Sequence, residues 1–128
     1  MNGLQVRSKI WLETEGEPFL GEGRERLLRL IDGCGSISGA ARQMGISYRK
    51  AWSFIENMEK RVRFPLVHRR KGGARGGTTT LTAETLLLLE KFDALNRGVQ
   101  EYVDARFAAD FLPANPDGVP KVDTSGKD

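Results

Sequence analysis

The stretch Ser36-Ile37-Ser38-Gly39-Ala40-Ala41-Arg42-Gln43-Met44-Gly45-Ile46-Ser47-Tyr48-Arg49-Lys50-Ala51-Trp52-Ser53-Phe54-Ile55-Glu56-Asn57-Met58 carries the strongest fold signal in this chain. Two helices that cross steeply through a short turn make a set of local demands. Ser36 suits the N-cap of the first, short helix, where its oxygen accepts from orphan backbone N–H groups. Ala40 and Ala41 are small where the second helix must press close. Gly45 ends the first helix and tolerates a positive φ in the turn. Ile46 follows as an apolar residue that fixes the turn in the core. Ser47 caps the second helix, in which Ala51, Ile55, Met58 and Val62 recur at helical spacing, with Phe54 beside them. These demands are met together, at consistent spacing, so the stretch reads as a helix-turn-helix. An ordinary helical hairpin is the plainer alternative.

The other face of the second helix says what such a motif is for. Ser47, Tyr48, Arg49, Lys50, Ser53 and Asn57 project outward, most of them near its N-terminus. In this motif that end enters the major groove of duplex DNA. Arg49 can pair bidentately with guanine, and Asn57 suits adenine if it reaches. Lys50 suits a phosphate, as does the helix N-terminus itself. Ser36 joins the expected DNA-binding set. For Arg49 the competing reading is a solvated charge. Trp52 is expected to pack on the first helix of the motif rather than on a base.

Beyond the recognition helix, about residues 47–62, Pro65 blocks further helix. Leu66 to Arg70 and Thr78 to Leu81 read as strands around the glycine-rich Lys71-Gly72-Gly73-Ala74-Arg75-Gly76-Gly77. The result is a hairpin wing, about 66–81, whose tip carries Arg69, Arg70, Lys71 and Arg75. Of these, Arg70, Lys71 and Arg75 are expected to bind DNA. A nucleotide-binding P-loop would need a lysine after its glycines and a helix next, and neither follows here.

Thr82 caps a long last helix, about 82–110, with Glu84 in its first turn. Leu88, Phe92, Leu95, Val99 and Tyr102 alternate gaps of four and three, which makes a heptad seam. The seam predicts a homodimer through this helix, and a seam packed on the chain's own core is the alternative. At the other end, Val6, Ser8, Ile10 and Leu12 alternate with Arg7, Lys9, Trp11 and Glu13, which predicts a strand. Glu15-Gly16-Glu17-Pro18 reads as a turn and Phe19-Leu20 as a returning strand. Leu27, Leu28, Leu30 and Ile31 give a helix closed by Gly33 and Gly35. The expected fold class is mainly α with a small β wing: a winged helix-turn-helix with a long C-terminal dimerisation helix. Its domain spans residues 1–110, and 111–128, rich in proline and glycine, reads as a loose tail.

Composition narrows the function. With 128 residues, 39% hydrophobic and 29% charged, the chain fits one water-soluble domain. No apolar run approaches the ~20 residues of a membrane span. The start Met1-Asn2-Gly3-Leu4 lacks a signal pattern. The single cysteine, Cys34, suits a reducing cytoplasm, the expected location. Residues 1–81 hold 15 lysines and arginines against 8 acids, whereas residues 82–128 hold 5 against 9. From Arg42 to Arg75 there are 10 basic residues and only 2 acidic ones, a footprint for a polyanion. The only histidine, His68, has no second histidine or nearby cysteine to make a metal or nucleophile site. No enzymatic activity, metal or cofactor is therefore expected. RNA is disfavoured because its deep, narrow major groove does not admit a helix.

The motifs Gly35-Ser36-Ile37-Ser38-Gly39-Ala40-Ala41 and Gly45-Ile46-Ser47-Tyr48-Arg49-Lys50-Ala51-Trp52, with a wing ending Gly76-Gly77 before Leu81-Thr82, resemble the N-terminal DNA-binding domain of the ModE family of molybdate-responsive bacterial regulators. The winged helix of LysR-type regulators is a more distant resemblance. The resemblance to the ModE family covers about residues 4–107 and implies a dimer with the second motif helix in the groove and the last helix joining the subunits. The DNA role carries over to Ser47, Tyr48, Arg49, Lys50 and the wing. Molybdate sensing does not, because in that family it belongs to further domains, and the cations here are concentrated on the presumed DNA face. The expectation is a stand-alone, sequence-specific regulator of double-stranded DNA with no tightly bound small molecule and no membrane association. Two alternatives remain: a protein-interaction or dimerisation module in molybdenum homeostasis whose basic surface is incidental, and a directly molybdate-responsive regulator.

Overall fold

The computed structural model describes residues 3–72 and 77–112. The elements run β1 (Leu12–Thr14), β2 (Glu17–Leu20), α1 (Glu22–Cys34), α2 (Ile37–Met44), α3 (Tyr48–Val62), β3 (Val67–Arg70), β4 (Thr78–Leu81) and α4 (Ala83–Phe111). The chain divides into two units, residues 10–92 and residues 1–9 with 93–128.

In the first unit β1 and β2 form an antiparallel hairpin with an irregularity between Leu12 and Glu13. Glu15 and Gly16 both have positive φ, 53° and 79°. That combination suits a two-residue hairpin turn whose twist matches its strands. The expected turn thus tightens to its first two residues, and Glu17 and Pro18 belong to β2. The expected strand over 6–13 shortens to Leu12–Thr14. Residues Val6, Ser8, Ile10, Leu12 and Thr14 do alternate in exposure with their neighbours. Alternation marks an extended segment, but only Leu12–Thr14 faces a strand that supplies ladder hydrogen bonds.

The helix-turn-helix forms as its caps dictate. The Ser36 hydroxyl oxygen accepts from the Gly39 N–H at 2.8 Å, and that of Ser47 from the Lys50 N–H at 3.0 Å. Gly45, at φ 70°, closes α2: its N–H donates to Arg42 O and that of Ile46 to Ala41 O. This paired closure satisfies carbonyls that the helix end would leave orphaned. α3 stops at Arg63, which takes φ 64° ahead of Pro65.

One core joins the helices and the base of the wing. It contains Leu27, Leu28 and Ile31 of α1, Ala40 and Ala41 of α2, Ala51, Ile55 and Met58 of α3, Leu66, Val67 and Leu81 of the wing, and Leu89 and Phe92 of α4. A buried polar knot pins α4 to the wing base. Thr82 Oγ1 donates to Pro65 O at 2.8 Å and accepts from the Thr85 N–H at 3.2 Å. Thr85 Oγ1 and the Thr82 N–H both donate to Leu66 O. Thr82 is therefore the N-cap of α4 and a strut to the preceding loop.

The expected heptad seam on α4 is split. Phe92, expected between subunits, is 2% exposed in the chain's own core, with Leu88 packed against that core. The heptad spacing does not distinguish a partner helix from the helices of the same chain. Leu95 and Tyr102 are 50% and 67% exposed, and Val99 is half-buried. In the second unit α4 runs on to Phe111, where the rings of Phe107 and Phe111 stack at 5.3 Å and Arg106 pairs with Asp110. Phe111, expected to begin the loose tail of 111–128, closes α4 instead, and residues 113–128 of that tail lie outside the described residues.

Candidate nucleic-acid interface

The N-terminal turn of α3 is an open surface. Ser47, Tyr48, Arg49 and Lys50 are all exposed, and Asn57 is exposed two turns further on. Ser53 is half-buried, and its hydroxyl donates to Lys50 O at 2.8 Å. It keeps acceptor capacity but has already committed its proton. Ser36 and Ser47 are complementary: each uses an oxygen lone pair in its cap, so each hydroxyl proton stays available to an acceptor such as a phosphate oxygen. Arg49, Arg70 and Lys71 make no ion pair among the described residues. An unpaired, exposed guanidinium or ammonium is ready to meet a phosphate without first breaking a bridge.

The wing adjoins this surface. β3 and β4 pair in the register Val67↔Leu81, His68↔Thr80, Arg69↔Thr79, Arg70↔Thr78. Its base is held by the Leu81 N–H donating to Asp32 Oδ1 at 3.0 Å and the Thr79 N–H donating to Gly35 O at 2.8 Å. Between the wing, the start of α2 and Tyr48 lies a cleft of about 560 Å³. Ser36, Ser38, Tyr48, Arg70, Lys71 and Thr78 are among its lining residues. The structure therefore gathers Ser36, Tyr48, Arg70 and Lys71 of the expected DNA-binding set around one opening. Arg49, Lys50 and Asn57 are exposed on α3 but do not line it. Arg75 lies outside the described residues.

Not every cation of the basic pole faces outward. Arg24 donates to the carbonyls of Pro18 and Phe19 and lies over the Phe54 ring at 4.9 Å. Burial, and then the nearby Arg61, push its pKa below the ordinary arginine value. Arg61 donates to Thr14 Oγ1 and to Asn57 O. Both hold the hairpin to the helices. Two residues outside the expected set also matter at the cleft. Arg69 lines it while lying over the Trp52 ring, 5.1 Å from its centroid, and Trp52 meets Tyr48 edge-on at 6.4 Å. Trp52 does pack against the core, yet its charged partner is the wing. The period of two along β3 carried this signal, since it puts Arg69 on the same face as the buried Val67.

Among the described residues no group of three or more histidines, cysteines or acids could hold a metal ion. Nor is any helix among them long and apolar enough to cross a membrane.

Comparison with known proteins agrees with this geometry. Residues 25–85 match the family described as bacterial regulatory helix-turn-helix protein, lysR family. A transcriptional regulator ModE of Haemophilus influenzae is 43% identical over 79 residues, 62% of this chain and 31% of that protein. The DNA-binding transcriptional dual regulator ModE of Escherichia coli K12 is 34% identical over 112 residues, 88% of this chain and 43% of that protein. A molybdenum-pterin-binding protein MopA of Rhodobacter capsulatus is 35% identical over 95 residues, 74% and 36% of the two chains. The chain thus spans less than half the length of each of these relatives.

Proposed function

We propose that the chain binds double-stranded DNA sequence-specifically as a transcription regulator, a reading supported by the match of residues 25–85 to the lysR family of bacterial regulatory helix-turn-helix proteins. One observation carries this reading. The exposed N-terminal turn of α3 and the cations of the wing flank one cleft, with Arg49, Arg70 and Lys71 free of acidic partners among the described residues. α3 enters the major groove, where Arg49 reads base edges. The wing lies on the adjacent backbone, where Arg70 and Lys71 neutralise phosphates. The chemistry is binding, not catalysis, and its place is the cytoplasm, where DNA is found.

The protein acts as a homodimer through α4, on a site whose two halves are related by the subunits' two-fold axis. Selection of bound sequences from random duplexes tests the assignment. A dimer neutralising ~6–10 phosphates gives a log–log salt slope of about −5 to −9, and affinity indifferent to salt overturns the proposal.

Two relatives are named as transcriptional regulators ModE and one as a molybdenum-pterin-binding protein. For this chain we expect no tight oxyanion site. The cations around the cleft stand in contact with solvent, whereas a tight site needs converging donors in a dry enclosure. Calorimetric titration of molybdate is expected to show no saturable site at micromolar concentration, on the order of −8 kcal/mol in affinity.

A further inference from the structure

The wing's cations are useful only if the hairpin points at the backbone, and few contacts aim it. On β4 the Thr79 and Leu81 N–H groups are tied to Gly35 O and Asp32 Oδ1. At the base, Leu66 O accepts from the Thr82 N–H and the Thr85 hydroxyl. β3 has none of these ties beyond its base. Instead, the register puts Arg69 opposite Thr79, 7% exposed, on the face that carries Val67 inward. From there its guanidinium lies over Trp52, a half-buried residue of the recognition helix. Indole is the ring that attracts a guanidinium best. The planar fork also stacks with little loss of its own freedom.

We propose that Trp52 is a positioning residue for the wing. Its ring latches Arg69, ties β3 to α3, and so aims the next two residues, Arg70 and Lys71, at the backbone beside the groove that α3 reads. Arg69 in this view is a latch rather than a phosphate ligand, although it sits among the wing's cations. The functional consequence rests on the DNA-binding reading above. The latch itself belongs to the free protein and can be measured without DNA.

Two readouts test it. In the free protein, Trp52→Leu is expected to speed hydrogen exchange of the strand amides at 68–70 and 78–80 by about tenfold or more, while the α1 amides keep their rates. Trp52→Phe, which retains a ring face, is expected to restore most of the protection. Arg69→Met opens the latch from an exposed position with no risk to the core, and is expected to match Trp52→Leu. On selected duplexes, Trp52→Leu removes no charge, yet is expected to make the salt slope shallower by about 2 per half-site while the order of base preference stays the same. Adding Arg70→Ala and Lys71→Ala to Trp52→Leu is expected to cost little more, so the effects are not additive. Unchanged wing exchange in both Trp52→Leu and Arg69→Met overturns the latch. So does an altered base preference with unchanged wing exchange, because Trp52 would then act through α3 alone. If the unaltered protein binds no duplex, the DNA reading fails, and the exchange arm still decides on the latch.

Discussion

Arg49 and Lys71 are both exposed cations, yet they are expected to fail in different ways. Arg49 lies in the first turn of α3, the end that the proposed docking brings to base edges. A bidentate pair with guanine discriminates among bases. Arg49→Ala is expected to cost ~1–3 kcal/mol on the preferred site and to relax preference at one position. Lys71 follows the last residue of β3 and lines the cleft, where the proposed docking sets it against a phosphate. Lys71→Ala is expected to weaken all sequences alike and to reduce the salt slope by about 1. Binding curves on the selected site and on a scrambled duplex, at several salt concentrations, separate the two. Equal loss on both duplexes for Arg49→Ala would mean that α3 does not sit in the groove as described. Ser53 and Asn57 are weaker candidates. Ser53 has committed its proton to Lys50 O, and Asn57 lies two turns below the end proposed to enter the groove.

At the scale of elements, the join between wing and α4 depends on two threonines. Thr82 caps the helix and donates to Pro65 O, whereas Thr85 adds a second donor to Leu66 O. Thr82→Val strips a cap and leaves a carbonyl unsatisfied, and is expected to cost about 1–3 kcal/mol. Thr85→Val leaves Leu66 O with the Thr82 N–H and is expected to cost about 0.5–1.5 kcal/mol. Urea unfolding with an unchanged slope checks the order, and a larger loss for Thr85→Val contradicts it. Where local chemistry fixed an element, its limits could be read directly. Ser36, Gly45 and Ser47 supply caps: α2 begins and ends, and α3 begins, beside them. β4 likewise spans Thr78–Leu81 as its residues predict. The reading fell short where a pattern does not name its partner. Alternation at residues 6–13 required a neighbouring strand, which only Leu12–Thr14 has. The face of Arg69 was legible from Val67, but the ring beneath it was not, because contact between wing and α3 is long-range.

At the scale of the molecule, the proposed two-fold pairing rests on what α4 leaves uncovered. Phe92 and Leu89 are buried in the chain's own core, so they stabilise the subunit whether or not a partner is present. Leu95 and Tyr102, half and two-thirds exposed, are the members of the seam with apolar surface left for a second copy. This division yields a clean test. A charge at Phe92 would unfold the subunit and say nothing about pairing. At Leu95 an aspartate can keep most of its hydration in the isolated subunit, where it costs little. Buried between two helices, the same carboxylate would face its symmetry mate in an apolar seam without a partner. Leu95→Asp is therefore expected to keep the far-UV spectrum and the unfolding midpoint of a folded subunit, yet to sediment as a monomer. Its affinity for a full pseudo-palindromic site should fall to that for a single half-site, since two linked recognition helices no longer bind together. The unaltered protein should sediment as a dimer at concentrations on the order of tens of micromolar. A monomer there, or a dimer that survives Leu95→Asp, places the subunit contact somewhere other than this face of α4.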